Sequence, residues 1–527
     1  MAPLLIRKKP RTAPATTPEQ KPKQAKKTAP MVREKLPGQR GWRGPGGGTA
    51  ALLPAMKEYR GTTVQVCGLW PFSSGTSSPM IGVPLGRHEE TQATVCCDPI
   101  SWFQRAGLIS NPSAFVLGKP GLGKSTLVRR MMLGLAGQGT HPLVLGDLKG
   151  EHVDLVRATG GQVIPLGRGR GYLNILDPGE ALEAAERLTG DARARVLADA
   201  HARRLNMVIA LITISRNQPP TDQEQTILDR ALRWLDEHFD GVPVLADLLH
   251  VIQQGPDELQ QVALNRGDWD LYQAETRGLE ATLLGLTGGG KLGEIFSRHT
   301  TNPMRRDAAV VFDVSSIDET ETDLQAAVLL ACWSYGFGTV NVANALADAG
   351  LEPRRHYLIV LDELWRALRA GKGMVDRVDA LTRLNRSYGV GQVMISHTMS
   401  DLLALPNEED RMKARGFVER SGMVICAGLP ASEMPLLTAA VPLSRQEQHK
   451  LISWQDPPAW DSRGVQAEPP GRGRFLIKVG GRPGIPVHIG LTNVEAKLND
   501  TNKLWHQTDT PLMAEAPAAG TGGGEGS

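Results

Sequence analysis

The sequence predicts an α/β fold built on a mostly parallel sheet. Three observations lead to this prediction: a phosphate-binding loop between a strand and a helix, further apolar strand segments that alternate with helical segments, and a long helical stretch that interrupts the alternation. Alternating strands and helices favour a parallel sheet, because each parallel strand needs a crossover connection to reach the next. With 527 residues, the chain is long enough for roughly two to four domains.

Composition and periodicity divide the chain into six predicted segments. They are a disordered basic tail at 1–48, a small β-rich region at 49–110, the first part of the α/β core that carries the phosphate-binding loop at 111–178, an inserted helical domain at 179–303, the second part of the core with a C-terminal β-hairpin at 304–508, and a disordered tail at 509–527. Within the insertion, Thr221 followed by Glu224 is a capping-box pattern, which predicts a helix start. The β-rich region is predicted from alternating stretches such as 62–67 and 93–97.

Charge is distributed unevenly along the chain. Residues 1–48 contain 12 Lys and Arg against 2 Asp and Glu, a net charge of +10, and the remainder contains 47 against 54, a net charge of −7. The acidic body does not indicate strong nonspecific nucleic-acid binding. The basic tail is interpreted either as a tether to anionic lipid or nucleic acid or as a solubilising extension, and the sequence leaves both open.

The sequence contains no obvious membrane or secretion signal. No apolar run is expected to approach the ~18 residues of a membrane span, and the start of the chain is too short for the apolar core of a signal peptide. The 5 cysteines lack metal-binding spacing, so neither a zinc site nor a disulfide framework is predicted. A cytoplasmic location is therefore expected.

The central motif is Gly118-Lys-Pro-Gly-Leu-Gly-Lys-Ser-Thr126, which follows the apolar run at 114–117 and precedes a helical pattern. Such a loop directs backbone N–H groups at phosphates, and the following helix adds the positive end of its dipole. Lys124 can reach the β- and γ-phosphates, and the Ser125 hydroxyl can bind Mg²⁺. The predicted ligands are therefore a nucleoside triphosphate and Mg²⁺. The predicted nucleotide-binding residues are Gly118, Lys119, Pro120, Gly121, Leu122, Gly123, Lys124, Ser125 and Thr126.

A second acidic motif follows another apolar strand. Leu358-Ile-Val-Leu361 leads directly into Asp362 and Glu363. A buried strand that ends in acids is typical of a Walker B site, where Asp362 would bind Mg²⁺ and Glu363 would act as general base on the attacking water. The alternative is that both acids cap the following helix.

Three further groups are candidates for the same site. Arg386, and with less support Arg383, could reach the γ-phosphate of a neighbouring subunit as an arginine finger, or could lie on a solvated helix face. His397 ends the strand at 392–396 and could sense the γ-phosphate, although a histidine at a strand end is often structural. Asp147, Lys149 and Glu151 follow the strand at 142–145, and the sequence does not decide between site and surface for them.

The ordered set of motifs resembles the motor domains of the FtsK/HerA superfamily. It comprises the loop at 118–126, Gly146-Asp-Leu-Lys-Gly-Glu151, Asn174, Val311-Phe-Asp313, Leu361-Asp-Glu-Leu-Trp365 and Arg386-Ser-Tyr-Gly389. The Asp-Glu-x-Trp form, the helical insertion and the segment at 473–479 make it most similar to the TraC-type ATPases of conjugation and type IV secretion. The resemblance covers about residues 80–505.

The resemblance implies a RecA-like core and a hexameric ring with ATP sites between subunits, in which Arg386 would act in trans. It also implies Mg-ATP hydrolysis coupled to pilus assembly or to DNA or protein transfer, with secretion-channel proteins as partners, at the cytoplasmic face of the membrane. Two features depart from the family. His397 stands where a Gln is usual, which puts the hydrolysis rate in question, and about 60 ordered residues precede the motor where relatives carry a large docking domain. Docking must therefore use another surface, the basic tail or a separate chain.

Three functional hypotheses follow. The first is the secretion or conjugation motor. The second is a HerA- or FtsK-like translocase that acts on double-stranded DNA. The third is a nucleotide-bound assembly platform without turnover, which His397 favours and the presence of Lys124, Asp362, Glu363 and Arg386 disfavours.

Overall fold

The computed structural model describes residues 80–264, 266–369, 374–382, 389–457 and 469–498. Eleven strands in these ranges form one sheet in the order β2-β1-β11-β10-β9-β3-β8-β7-β4-β6-β5. The strands are β1 (Pro84–His88), β2 (Thr94–Cys96), β3 (Ser113–Leu117), β4 (Thr140–Asp147), β5 (Gln162–Pro165), β6 (Val310–Asp313), β7 (His356–Leu361), β8 (Val390–Ile395), β9 (Met423–Cys426), β10 (Arg474–Lys478) and β11 (Ile485–His488). The predicted strand at 62–67 lies outside the described residues.

The sheet has a parallel part and an antiparallel part. The seven strands from β9 to β5 in the sheet order are parallel to their neighbours. The strands β10, β11, β1 and β2 extend this sheet with antiparallel pairing. The predicted α/β class, the parallel-rich sheet and the C-terminal hairpin of β10 and β11 are therefore confirmed.

Strand register brings three motif-bearing strand ends together. Val116 of β3 pairs with Ile395 of β8, and Met394 of β8 pairs with Leu361 of β7. The phosphate-binding loop, His397 and Asp362 follow these three adjacent strands at the same edge of the sheet. Ligands bind at this carboxyl edge in open parallel sheets.

Eighteen α-helices lie in the described ranges. They are α1 (Pro99–Gln104), α2 (Lys124–Ala136), α3 (Val153–Ala158), α4 (Ala181–Arg187), α5 (Gly190–Arg216), α6 (Asp222–His238), α7 (Leu245–Gln254), α8 (Asp257–Val262), α9 (Trp269–Thr287), α10 (Gly293–Phe296), α11 (Thr322–Asp348), α12 (Leu364–Arg369), α13 (Met374–Thr382), α14 (Met399–Leu403), α15 (Glu408–Arg420), α16 (Met434–Ala440), α17 (Arg445–Ser453) and α18 (Asn493–Leu498).

Seven of these helices, α4 to α10, lie between the strands β5 and β6, where the sequence predicts an inserted helical domain. The predicted capping box is present, because the Thr221 side chain accepts the Glu224 amide and the Glu224 side chain accepts the Thr221 amide. The apolar face of α6 is buried through residues such as Ile227, Leu228 and Leu235. Helices α5 to α10 share one hydrophobic cluster with one face of the sheet, whereas α4 packs in a separate small cluster.

Apolar side chains cover both faces of the parallel strands. In β3, Phe115 and Leu117 belong to the cluster on one face, and Ala114 and Val116 belong to the cluster on the other face. Successive side chains of a strand point to opposite faces. This burial on both sides explains why the parallel strands read as continuous apolar runs rather than alternating ones.

Helix α11 corrects one expectation from the sequence. Among the described residues it is long and apolar enough, by length and composition, to cross a membrane, and 94% of its most apolar window is buried inside the protein. It packs against the sheet closely enough that a Cβ on Gly336 would lie 2.4 Å from a methyl carbon of Leu145. A helix that is apolar all round is typical of a buried core position, so the expectation that no apolar run approaches membrane-spanning length is wrong for this segment.

Candidate active site

The phosphate-binding loop is held between the ends of two strands. The Gly118 amide donates to the His397 carbonyl at 2.9 Å, just beyond β8. A Cβ on Gly118 would lie 2.5 Å from the Cβ of Ala427, just beyond β9. Glycine is therefore required at this point of close approach, and the start of the loop is fixed by its neighbours before any ligand binds.

The loop ends at the N-terminus of α2 with Lys124 directed back over the loop. Gly123 precedes the helix with φ of +97°, a conformation that glycine adopts without steric cost. The Lys124 ammonium donates to the Gly118 carbonyl at 2.6 Å and to the Lys119 carbonyl at 3.2 Å. Burial lowers the pKa of Lys124 to about 8, although the negative charges of Asp362 and Glu363 oppose this shift. Ser125 and Thr126 occupy the first turn of α2 and are half-buried.

Residues near the C-terminal strands brace the outer side of the loop, which the sequence did not predict. The Lys119 ammonium donates to the Gln455 side-chain carbonyl at 2.8 Å, and the Lys119 amide donates to the Gly428 carbonyl at 3.2 Å. The Gly473 amide donates to the Leu122 carbonyl at 3.0 Å. Pro120 and Gly121, between these contacts, remain exposed.

Asp362 and Glu363 follow β7 at the predicted place. One Asp362 carboxylate oxygen accepts the Glu363 amide at 2.8 Å. Burial, together with the negative charge of Glu363, raises the pKa of Asp362. Glu363 has φ of +49°, which for a residue with a side chain costs about 1–3 kcal/mol. Strain of this kind is concentrated at functional sites.

A chain of charged groups crosses the site from Lys124 to Lys149. The Lys124 ammonium lies 3.1 Å from His397 Nδ1, His397 Nε2 lies 3.3 Å from Glu363 Oε1, and the Lys149 ammonium donates to the same Oε1 at 2.8 Å. An ammonium can only donate, so Nδ1 of His397 accepts and Nε2 carries the proton directed at Glu363. His397 thus connects the phosphate-binding lysine to the predicted general base.

The environment of Glu363 keeps its carboxylate ionised and oriented. Burial raises its pKa, but the hydrogen bond from His397 and the positive charge of Lys149 outweigh burial and hold the pKa well below its usual range. The indole N–H of Trp365 donates to the other oxygen, Oε2, at 2.6 Å. These contacts, rather than capping of α12, engage the carboxylate.

The structure separates the three residues after β4 that the sequence left undecided. Asp147 is fully buried, and its carboxylate accepts the amides of Lys149, Glu151 and His152 at 3.3, 3.1 and 2.7 Å. Asp147 therefore shapes the turn, whereas Lys149 reaches the site. The main-chain carbonyl of Glu151 accepts Arg129 at 2.8 Å, which is a structural contact.

Two contacts at the site were not predicted from the sequence, and two predicted site residues lie outside the described ranges. The contact of Trp365 with Glu363 was not predicted, although its position two residues after the general base was a usable signal. Gln455 carries no local pattern that points to the loop. Arg383 and Arg386 lie outside the described residues, and their role as arginine fingers stays a prediction.

The residues present fit Mg²⁺ bound together with a nucleotide. Within the described ranges, no group of three or more His, Cys, Asp or Glu could hold a metal ion by itself. Mg²⁺ at nucleotide sites takes one or two carboxylates, phosphate oxygens and water rather than an all-protein cage. Asp362, desolvated beside a second carboxylate, is a group whose charged form a cation would stabilise, and Ser125 offers a hydroxyl at the helix start.

Comparisons with known proteins concern the family and the fold. Residues 87–332 match the family model described as the central domain of the helicase HerA, a range that includes the loop and ends before Asp362. A search of curated proteins found no match.

Two solved structures illustrate the structural similarity. VirB4 of Thermoanaerobacter pseudethanolicus is 19% identical, over 80% of this chain and 100% of that one, with a TM-score of 0.58. The plasmid coupling protein TrwB, in complex with a non-hydrolysable GTP analogue, is 14% identical, over 72% of this chain and 86% of that one, with a TM-score of 0.44. The VirB4 match shows a shared fold. The match over residues 87–332 and the RecA-like P-loop NTPase fold shared with VirB4 confirm the resemblance to the FtsK/HerA superfamily.

Proposed function

We propose that this protein is an ATP-hydrolysing motor of a type IV secretion or conjugation system. The observation that carries the proposal is the chain of contacts from Lys124 through His397 to Glu363, with Asp362 beside it. Three adjacent strand ends bring together a phosphate-binding cation, a general base and a carboxylate for Mg²⁺. Such an arrangement suits phosphoryl transfer, where catalysis depends on positioning and on stabilisation of negative charge.

Each residue has a distinct role in the proposed reaction. The loop amides and Lys124 bind the β- and γ-phosphates, and Ser125 and Asp362 hold Mg²⁺, which neutralises phosphate charge when bound. Glu363 accepts a proton from the water that attacks the γ-phosphorus, the bond from that phosphorus to the ADP oxygen breaks, and ADP and inorganic phosphate result. His397 orients the Glu363 carboxylate through its Nε2 proton. The contacts of His397 provide a reason to expect turnover without the usual Gln.

The proposal includes a hexameric ring in which Arg386 of one subunit completes the site of the next. Its support is the motif set that resembles TraC-type ATPases. The Arg386-Ser-Tyr-Gly389 segment leads directly into β8, the strand that ends at His397. In this arrangement the described residues supply one half of each ATP site.

The proposed cellular role is pilus assembly or the transfer of DNA or protein, with secretion-channel proteins as partners at the cytoplasmic face of the membrane. The resemblance to TraC-type ATPases supports this role, and the fold shared with VirB4 agrees with it. The basic segment at 1–48, with a net charge of +10, is suited to peripheral contact with anionic lipid.

A second candidate function is translocation of double-stranded DNA, which the match to the HerA central domain favours. ATP hydrolysis that DNA stimulates, with binding that weakens steeply as salt rises, would support the translocase. Hydrolysis unaffected by DNA, together with co-purification of channel proteins, would support the secretion motor.

The variant Glu363→Gln tests hydrolysis directly. The amide cannot accept the proton from water, so we expect kcat to fall by about 10²–10⁴-fold, the usual contribution of general base catalysis, while ATP stays bound. The measurements are phosphate release and the affinity for ATP, with Glu183→Gln on the exposed face of α4 as the control. If Glu363→Gln had the same kcat as the parent, the assignment of Glu363 as the general base would be wrong.

A further inference from the structure

We propose that Lys149 is a further catalytic residue, which pairs with Glu363 and moves its ammonium to the γ-phosphate during hydrolysis. This inference rests on the proposed ATP hydrolysis. It assigns a second lysine to the site, on a different strand from Lys124.

The backbone after β4 is built to bring Lys149 to this position. The buried Asp147 carboxylate accepts three amides of the turn, including that of Lys149 itself. Gly150 follows with φ of +67°, which allows the chain to reverse. The Lys149 stem is thereby fixed at its base, next to the end of the neighbouring strand β7.

The ammonium of Lys149 faces the reactive part of Glu363. It lies 2.8 Å from Oε1, the same oxygen that His397 Nε2 approaches to 3.3 Å. The other oxygen is bound by Trp365. Oε1 thus has two donors, and departure of Lys149 would free a lone-pair position on Oε1 to accept a proton from water.

Lys149 is also free to move, unlike its partner. The Lys149 side chain is 40% exposed, whereas that of Glu363 is 3% exposed. A lysine ammonium on a flexible four-carbon stem can exchange partners at little cost. A γ-phosphate bound at Lys124 adds negative charge to the same site, and this charge attracts the Lys149 ammonium.

Movement of the Lys149 ammonium from Glu363 to the γ-phosphate has two consequences for the reaction. Glu363 Oε1 loses its ion pair and becomes available to the attacking water. The ammonium then lies where negative charge develops on the γ-phosphoryl group, and donors placed at developing charge contribute the largest effects in catalysis of this kind. Lys149 thus links nucleotide binding to activation of the base.

The test is a comparison of Lys149→Ala, Lys149→Arg and the parent in the full-length chain. We expect Lys149→Ala to lower kcat about 100-fold, the effect of removing one such donor, and to lose retention of ADP with beryllium fluoride, which mimics the γ-phosphate. The affinity for ADP alone should stay within about twofold, since ADP offers no γ-phosphate, and Lys149→Arg should recover part of kcat. The control is Arg157→Ala on the following helix, whose exposed pair with Asp154 lies away from the site.

The outcomes separate this inference from the proposed function. If the parent hydrolyses ATP and Lys149→Ala hydrolyses it as fast or faster, Lys149 does not contact the γ-phosphate and only this inference fails. If Lys149→Ala loses ADP affinity and thermal stability together with kcat, and Lys149→Arg recovers nothing, the lysine is structural and the inference again fails. If the parent hydrolyses no nucleoside triphosphate, both proposals fail.

Discussion

Two clusters in this protein each combine a histidine with acidic and basic side chains, but they are built differently. The first joins Lys124, His397, Glu363 and Lys149 at the carboxyl edge of the sheet. The second joins α5 to α6, where His201 Nε2 lies 2.7 Å from Asp229 and Nδ1 lies 3.4 Å from Asp236. In both clusters a histidine lies between charged partners.

The two clusters differ in how their acidic groups are paired with basic ones and in the backbone conformation that carries them. In the helical cluster, Arg204 binds Asp236 through two hydrogen bonds of 2.7 and 2.6 Å, Arg233 binds Asp229, and both acids lie within regular helix. In the sheet-edge cluster, Glu363 has a left-handed backbone, and within the described ranges no basic side chain pairs with Asp362. Unpaired charge and strain together indicate a ligand site, whereas balanced charge on helices indicates a structural one.

The variant Lys124→Ala tests whether the sheet-edge cluster is a ligand site. It has the largest expected effect, which is on the affinity for ATP. A hydrogen bond to a charged group contributes about 1.5–3 kcal/mol, so the affinity for ATP should fall about 10- to 100-fold. Isothermal titration measures this loss, and Lys291→Ala, an exposed lysine of the helical insertion, should leave affinity unchanged. Equal ATP affinity in Lys124→Ala and the parent would contradict the assignment of the loop.

Substitution of His397 tests how the sheet-edge cluster contributes to hydrolysis. The expected effect on kcat is intermediate. Glutamine also offers a donor and an acceptor, so His397→Gln should keep kcat within about tenfold of the parent. His397→Ala breaks the connection from Lys124 to Glu363. It should therefore reduce kcat further, within the range of general acid–base effects. Steady-state phosphate release compares the variants. The orienting role would be refuted by His397→Ala turning over at least as fast as His397→Gln.

The helical cluster should show the smallest effect, on stability and its pH dependence. The hydrogen bond to Asp236, and with it the contact to Asp229, outweighs burial and raises the pKa of His201. A histidine with a raised folded-state pKa contributes fully below its unfolded value of about 6.5, and the contribution is lost as pH rises through the folded-state pKa. Since the acids are partly exposed, the contribution should be below about 1 kcal/mol.

Thermal midpoints of the parent and His201→Gln measure this contribution. The parent should be more stable at pH 5.5, and the difference should shrink by pH 8, while the exposed control His299→Gln should show no such trend. A constant difference across this pH range would mean that the imidazolium is not the stabilising form. If His201→Gln hydrolyses ATP at the parental rate, the helical cluster takes no part in hydrolysis and the two clusters differ in function.

Much of the fold and part of the site could be predicted because their signals are local. The loop at 118–126, the apolar run before Asp362 and the capping box at Thr221 are each read from a few consecutive residues. The apolar helix α11 was misjudged because its composition reflects burial on all sides, which no local pattern distinguishes from a membrane span.

Contacts between distant segments could not be predicted in the same way. Lys149 and Glu363 are 214 positions apart, and Lys119 and Gln455 are 336 apart. Nothing in the sequence showed that Asp147 would turn inward to bind amides while Lys149 turned outward to the site. Each of these outcomes depends on which strands become neighbours.

By itself the sequence determined the α/β class and the identity of the phosphate-binding loop, the Asp362–Glu363 pair and the candidate His397. Tertiary structure decided their relation, because the order β3-β8-β7-β4 places four strand ends side by side. That order brings Lys149 to Glu363 and places His397 between Glu363 and Lys124. The physical reason is that strand pairing is set by packing over the whole sheet, whereas the motifs are set by the chemistry of short segments.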